Sequence, residues 1–197
     1  SYVTKQDVFS EIMARMPATL QLTLCAMIIS VLISIPLGIL AAVKHNSIWD
    51  SSSTFLATIG VSLPKFWFAL VLIIVFSLNL GWLPSKGIGY LEDGLGSYLS
   101  HMALPAISLG LGLAATQTRM IRSSMLDVLG QDYIRFARSK GLKEKVVLLG
   151  HAMKNALIPV VTVFGSEVGG LLGGAVVTET IFAWPGVGRL IVNSIGK

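Results

Sequence analysis

One acidic residue, Glu167, stands inside a long apolar stretch that covers residues 155–178. An ionisable side chain in such a stretch is costly and usually faces a cavity or a partner. Two interpretations follow. Glu167 lines a solute pathway, where its carboxylate meets an amino group of the solute, or it is a hydrogen-bonded packing residue. Lys65, which follows Pro64 in another apolar stretch, is more simply explained by a long stem that reaches a nearby interface.

The apolar stretches contain none of the constellations that perform catalysis, such as paired carboxylates, a Ser–Lys pair or a His–Glu metal set. The sequence has no Gly-x4-Gly-Lys-Ser/Thr loop for nucleotide phosphates. Gly110-x-Gly112-x-x-Ala115 has dinucleotide-fingerprint spacing, but it lies in an apolar stretch with no strand before it. The three histidines are scattered and do not indicate a metal site: His45, His101 and His151. We therefore expect no enzymatic activity, no metal and no cofactor bound by this chain.

The composition indicates that lipid surrounds most of the chain. Of the 197 residues, 53% are hydrophobic and 13% are charged, and the mean hydropathy is +0.76. Soluble domains carry about twice that charged fraction, and a soluble protein this short could not bury so much apolar surface in one core. Cys25 is the only cysteine, so an intrachain disulfide is excluded. We expect a polytopic membrane helix bundle, which is an all-α fold.

Four segments are long enough to cross a bilayer, for which about 20 apolar residues suffice. They cover about residues 17–43, 51–80 (broken by Pro64 and Lys65), 102–121 and 155–178. They belong to one membrane domain, residues 17–197, which follows an external lead-in, residues 1–16. Because the chain begins without Met and stops at Lys197, we expect it to be a piece of a longer protein.

A basic loop sets the orientation of these spans. Eight of the fifteen basic residues lie between Arg119 and Lys154, and this stretch carries the whole net charge of +5. A basic excess between two apolar segments places residues 122–154 in the cytoplasm and does not indicate nucleic-acid binding.

Within this loop, Asp132–Pro159 predicts two short helices broken at Gly141, where a left-handed residue without a Cβ is favoured. On the first helix one face is shared by Tyr133, Phe136, Ala137 and Lys140. On the second helix, which leads into the fourth span, one face is shared by Val146, Leu149, Gly150, Met153 and Leu157. On physical grounds alone, such a basic helix pair could lie on anionic lipid headgroups.

The same segment resembles the cytoplasmic EAA loop of ABC-importer permeases, of form E-A-A-x3-G-x9-I-x-L-P. Ala137 and Gly141 match it, whereas the other positions are occupied by Arg135, Phe136, His151, Met153 and Lys154. Those departures are the form seen in the dipeptide, oligopeptide and nickel permeases, A-R-x-K-G followed by H-A-x-x-N-A-L-x-P. Residues 137–141 and 151–159 are similar to that form.

Three further motifs resemble the same family and stand in its order. Met16–Leu20, with Arg15 before it, resembles the family's R-x-P-A-T-L entry to a span. Leu80–Pro84 resembles the outer end of the next helix. The outer signature E-x-x-F-x-x-P-G-x-G is matched at Glu179, Phe182, Pro185, Gly186 and Gly188.

The resemblance implies the type I transmembrane domain of an ABC importer, in a bacterial inner (plasma) membrane. Its partners would be a second homologous permease, two cytoplasmic ATPase subunits that hold ATP and Mg, and an extracytoplasmic solute-binding protein. It implies coupling to the ATPase through Tyr133, Phe136, Ala137, Arg138, Lys140, Gly141 and Leu142. Dipeptides or oligopeptides are the expected cargo; a nickel, metal-chelate or glutathione-like cargo is the alternative. A channel or scaffold without an ATPase is the alternative class.

Overall fold

Apolar runs separated by short polar turns fold into helices over most of the chain that the computed structural model describes, residues 7–89 and 94–195. In lipid a helix satisfies its own backbone N–H and C=O groups. In chain order the helices are α1 (Val8–Val43), α2 (Ile48–Ser62), α3 (Lys65–Leu72), α4 (Leu95–Leu129), α5 (Asp132–Ser139), α6 (Glu144–Val146), α7 (Met153–Gly174), α8 (Val176–Ile181) and α9 (Val187–Ile195). Two π-helical turns extend them, Ile73–Asn79 after α3 and Val147–Ala152 between α6 and α7. Neither of the two described ranges contains a strand, and the all-α prediction is confirmed.

Within the described ranges, three helices are long and apolar enough to cross a membrane: Val8–Val43, Leu95–Leu129 and Glu144–Leu171. The number rises to four if the helices on the two sides of Pro64 form one broken span. The break predicted at this proline is present, because α2 ends at Ser62 and α3 begins at Lys65. Proline lacks an N–H group and disfavours a helical conformation of the residue before it.

The helix bounds differ from the predicted spans. α1 continues through Pro17, so residues 8–16 of the predicted lead-in are helical rather than a separate segment; residues 1–6 lie outside the described residues. α4 runs to Leu129 and so includes the first residues of the predicted 122–154 loop. The fourth span ends at Gly174, before the predicted residue 178. The predicted bounds follow hydropathy, whereas helical backbone hydrogen bonding continues past polar residues.

The described residues form two compact units. The first unit comprises the described residues of 1–29, 63–112 and 168–197, and the second comprises residues 30–62 and 113–167. The core of the first unit is built around Ala69, Leu72, Ile73, Leu104 and Phe182. In this unit α1 and α4 approach closely at Gly110, where a Cβ would lie 2.8 Å from the carbonyl oxygen of Ala26.

The core of the second unit joins the end of α4 to the loop helices. Its buried residues are Ala42, Ile121, Met125, Ile134, Ala137, Val147, Ala152, Ala156 and Val160. Gly38 of α1 packs against α4, since a Cβ at this position would lie 2.7 Å from Cβ of Ile121. Small residues allow such close helix packing in lipid, where dispersion and not the hydrophobic effect holds helices together.

Candidate functional site

The break between α5 and α6 is formed at Gly141, as predicted. Its φ of +76° is left-handed, a conformation that costs an L-residue with a side chain roughly 1–2 kcal/mol. Across the break, Arg138 and Glu144 form a two-pronged ion pair, with Nη2 to Oε1 at 2.6 Å and Nε to Oε2 at 3.1 Å. The Glu144 hydrogen bond raises the pKa of Arg138. The pair links α5 to α6 at the surface.

α5 has two faces that differ from the predicted one. Ile134 and Ala137 are buried, 0% and 8% exposed, and belong to the core of the second unit. Tyr133 and Phe136 are 42% and 60% exposed, and Lys140 Nζ lies 4.6 Å from the centre of the Phe136 ring. Ala137 therefore packs against its own unit, away from the aromatic residues with which the helical spacing had grouped it.

The face predicted for the second helix is divided in the structure, because Met153 and Leu157 pack against the core of the second unit while Val146 and Leu149 are exposed. The fully buried residues of this helix are Val147, Ala152, Ala156 and Val160. The five-residue step from the first to the second of these matches the i to i+5 hydrogen bonding of the π-helical turn Val147–Ala152. An α-helical period cannot place such a step on one face.

We use the name coupling face for the exposed aromatic and aliphatic residues between the start of α5 and the π-helical turn after α6, which are Tyr133, Phe136, Leu142, Val146 and Leu149. The hydroxyl of Tyr133 accepts a hydrogen bond of 2.8 Å from Nδ2 of Asn155. Exposed aromatic side chains on a rigidly seated helix are suited to binding a partner protein. The roles of all seven predicted coupling residues stay predictions.

A buried ion pair in the second unit was not predicted from the sequence. Asp50, in the first turn of α2, accepts hydrogen bonds from Arg122 Nε at 2.5 Å and Nη2 at 2.9 Å. It also accepts from the backbone N–H of Asn46 at 3.0 Å, and His45 Nδ1 lies 2.9 Å from it. The pair fixes the α1–α2 turn to α4. Arg122 follows Ile121, which belongs to the same core as Ile134 and Ala137 of α5. Asp50 and Arg122 are 72 positions apart, so no local pattern joins them.

Glu167 is half-buried and hydrogen-bonded. Nε2 of Gln117, a fully buried residue, donates to Oε2 of Glu167 at 2.5 Å. Oε1 of the same amide accepts from the hydroxyl of Ser30, and from that of Ser34 at 3.4 Å. A polar chain thus runs from α1 through α4 to Glu167 on α7.

The outer signature is assembled in the first unit around Glu179, which is completely buried. Oε1 accepts a 2.7 Å hydrogen bond from the hydroxyl of Thr19, and Oε2 accepts a 3.0 Å bond from the backbone N–H of Arg189. Gly186 packs directly on this carboxylate, and a Cβ at Gly188 would lie 3.0 Å from it. The glycines are therefore required by close approach to the carboxylate.

The same arrangement joins the signature to the Met16–Leu20 motif. The hydroxyl of Thr19 accepts from the backbone N–H of Val187 at 2.9 Å, and Nε1 of the buried Trp184 donates to the carbonyl of Ala18 at 2.9 Å. Phe182 is buried in the core of the first unit. We call this set of contacts the Glu179 cluster. Its geometry is that of a structural joint between α1, α8 and α9.

A family comparison identifies the class of this membrane protein. The sequence profile described as "Binding-protein-dependent transport system inner membrane component" matches residues 34–196, and the chain belongs to this family. The family places it in the bacterial inner membrane, as predicted. Among residues 7–89 and 94–195, no group of three or more His, Cys, Asp or Glu residues could hold a metal ion.

Similar proteins carry names of transport permeases. The chain is 49% identical to the oligopeptide transport system permease protein AppB of Bacillus subtilis (strain 168), over 98% of this chain and 62% of that protein. It is 44% identical to the dipeptide transport system permease protein DppB of Escherichia coli (strain K12), in a match that covers 100% of this chain and 65% of that protein. It is 43% identical to the glutathione transport system permease protein GsiC of the same strain, in a match that covers 99% of this chain and 61% of that protein. The chain thus spans less than two thirds of the length of these relatives.

A solved structure has a similar fold. The crystal structure of an amino acid ABC transporter with histidines superposes with a TM-score of 0.69, covering 98% of this chain and 85% of that one. The identity is 16%, so the likeness shows the fold alone. It agrees with the type I transmembrane domain that the motifs predicted.

Proposed function

We propose that this chain forms half of the translocation pathway of an ATP-driven importer of dipeptides or oligopeptides, and that its coupling face binds a cytoplasmic ATPase subunit. Membership of the binding-protein-dependent transport family supports the importer class. The observation that carries the coupling role is the division of α5 into a buried face and an exposed aromatic face. A helix of this kind is held by its own unit on one side and open to a partner on the other.

Packing gives the coupling face a route to the membrane helices. Ile134 and Ala137 of α5 share a core with Ile121 and Met125 of α4 and with Val160 of α7. Close-packed interiors transmit displacement because they have low compressibility. A force applied to Phe136 when the ATPase subunits close therefore moves α4 and α7 together with α5.

The partners follow from the importer class. A second homologous permease completes the pathway, two ATPase subunits bind and hydrolyse ATP with Mg, and an extracytoplasmic binding protein delivers the cargo. ATP hydrolysis is assigned to the ATPase subunits and not to this chain.

The cargo proposal rests on the named relatives. Proteins named for oligopeptides and dipeptides match at 49% and 44% identity, and one named for glutathione matches at 43%. Peptide cargo is therefore favoured over a nickel or metal chelate, and glutathione-like cargo is close to it chemically.

Reconstitution of the full-length protein with its co-expressed partners in liposomes tests the proposal. ATP hydrolysis is measured with the binding protein loaded with peptides, with glutathione or with nickel chelates. We expect stimulation by peptides. Stimulation by the nickel chelate alone would move the protein to the metal cargo, and failure of any ATPase subunit to assemble would favour a channel or scaffold.

We also propose that Glu167 lines the pathway and meets the ammonium group of the cargo. Its Oε2 is held by the buried amide of Gln117 at 2.5 Å, while the side chain as a whole stays half-exposed. A carboxylate at this depth needs polar or cationic partners. The Gln117 amide donates one hydrogen bond to Oε2 and supplies no positive charge.

A further inference from the structure

A cavity of about 570 Å3 opens in the second unit between α2 and α4. It is lined by Thr54 and Val61 of α2 and by Thr116, Arg119, Met120 and Arg122 of α4. Its volume lies within the range of about 300–1,000 Å3 that is usual for small-molecule sites. The lining combines two guanidinium groups and two hydroxyls with apolar side chains.

The cavity has an excess positive charge that comes from Arg119. The charge of Arg122 is compensated, because its guanidinium binds the buried carboxylate of Asp50 at 2.5 and 2.9 Å. Arg119 is exposed and takes part in none of the ion pairs found over the two described ranges. Thr116, three residues before Arg119 on α4, adds a hydroxyl to the lining. An anion with several acceptor oxygens fits this end of the cavity.

Val61 adds an apolar side chain at the end of the cavity away from Arg122, because Asp50 of α2 meets Arg122 whereas Gly60 of α2 lies against Ala115 of α4. Val61 stands seven residues after Thr54 on α2, which is about 10 Å along a helix axis. The outer surface of α2 around them exposes Phe55, Leu56 and Ile59. The polarity therefore changes from cationic to apolar over the length of the site, which matches an amphiphile with an anionic head and a hydrocarbon tail.

The position of the cavity along the chain agrees with a lipid ligand. Arg119 and Arg122 lie at the end of α4 that leads into the basic loop, the side that the positive-inside rule assigns to the cytoplasm. Basic pockets between membrane helices on that side bind anionic lipid headgroups. We propose that this cavity binds an anionic phospholipid of the inner leaflet, with its phosphate at Arg119 and an acyl chain along Val61.

Native mass spectrometry of the full-length protein, assembled with its partners, tests this proposal. The complex is equilibrated with equal amounts of phosphatidylglycerol and phosphatidylcholine, and retained lipid is counted. We expect preferential retention of phosphatidylglycerol, reduced about fivefold by Arg119→Gln, since a basic residue near an anionic lipid contributes about 1 kcal/mol. Val61→Trp, which fills the apolar end, should also reduce it, whereas Arg119→Lys should largely preserve it.

The matched control is Lys154→Gln, which removes the same charge from an exposed position outside the cavity and should leave retention unchanged. Equal phosphatidylglycerol retention by the wild type and Arg119→Gln would overturn the proposal. Complete displacement of the lipid by inorganic phosphate would also overturn it and assign the cavity to a free anion. If Arg119→Gln instead abolishes discrimination between free and carboxy-amidated peptides, the cavity binds the cargo carboxylate. Lipid retention requires no peptide import, so it can succeed or fail independently of the proposed transport function.

Discussion

Two carboxylates of this chain have opposite surroundings. Glu179, in the outer signature, is completely buried and is bonded to a hydroxyl and a backbone N–H. Glu144, in the coupling segment, has a side chain 54% exposed and pairs with Arg138 across the Gly141 break. The first holds helices of one unit together, and the second fixes the shape of a surface. A carboxylate can thus serve an internal joint or shape an exposed surface, and its burial distinguishes the two roles.

The largest effect on stability is expected at Glu179. Glu179→Ala leaves the Thr19 hydroxyl and the Arg189 N–H without their acceptor in a fully buried site. Buried groups that lose a partner cost about 1–3 kcal/mol each, so we expect a loss of about 3 kcal/mol or more. The midpoint of thermal unfolding in detergent measures it. The same substitution at the exposed Glu144 should cost at most about 1 kcal/mol, and similar midpoints for the two variants would contradict the comparison.

Ala137→Leu should have the next largest effect. Ala137 is 8% exposed in the core of the second unit, and added volume in a packed core costs about 1–3 kcal/mol. Displacement of α5 should also uncouple ATP hydrolysis from transport while the protein still inserts. Ala14→Leu, at an exposed position of α1, is the control and should leave both unfolding and uptake unchanged. Normal uptake by Ala137→Leu would refute its place in the coupling segment.

Gly141→Ala should lower the free energy of unfolding by roughly 1–2 kcal/mol. The alanine must either adopt the left-handed φ of +76°, which its Cβ disfavours, or force the backbone into another conformation. Either result alters the angle between α5 and α6, so peptide uptake per ATP hydrolysed should fall. Gly130→Ala is the control, since this glycine has no left-handed φ and a Cβ there makes only ordinary contacts. Unchanged uptake by the Gly141 variant would show that the bend is not needed for coupling.

Glu167→Gln should change stability least, because an amide can still accept from Gln117. If the carboxylate meets the cargo ammonium, the apparent KM for free peptides should rise, and the preference over N-acetylated peptides should disappear. Uptake assays with both peptide forms measure this. An unchanged preference would assign Glu167 to packing alone.

Local rules predicted the breaks in the chain correctly. Pro64 ends a helix because it lacks an N–H group, and Gly141 bends the loop because it adopts a left-handed φ of +76°. Both depend on one residue and its immediate neighbours. The all-α class was predicted from the long apolar runs, which are also a local property of the sequence.

Long-range and irregular features could not be predicted in this way. The π-helical turn Val147–Ala152 rotates the buried face by an extra residue, so an α-helical period alone does not place Val147 and Ala152 on one side of the second loop helix. The Asp50–Arg122 pair spans 72 positions and the Thr19–Glu179 bond spans 160. Such contacts are set by packing of distant helices, which one sequence does not reveal.

Site-specific cross-linking tests the central claim most directly. A photoreactive side chain is placed at position 136 or at position 137 of the full-length protein, assembled with its ATPase subunits. Phe136 is 60% exposed and Ala137 is 8% exposed on the same helix, so we expect cross-links to the ATPase from position 136 and few from position 137. The absence of cross-links at position 136, or equal cross-linking at both, would contradict a docking role for the coupling face.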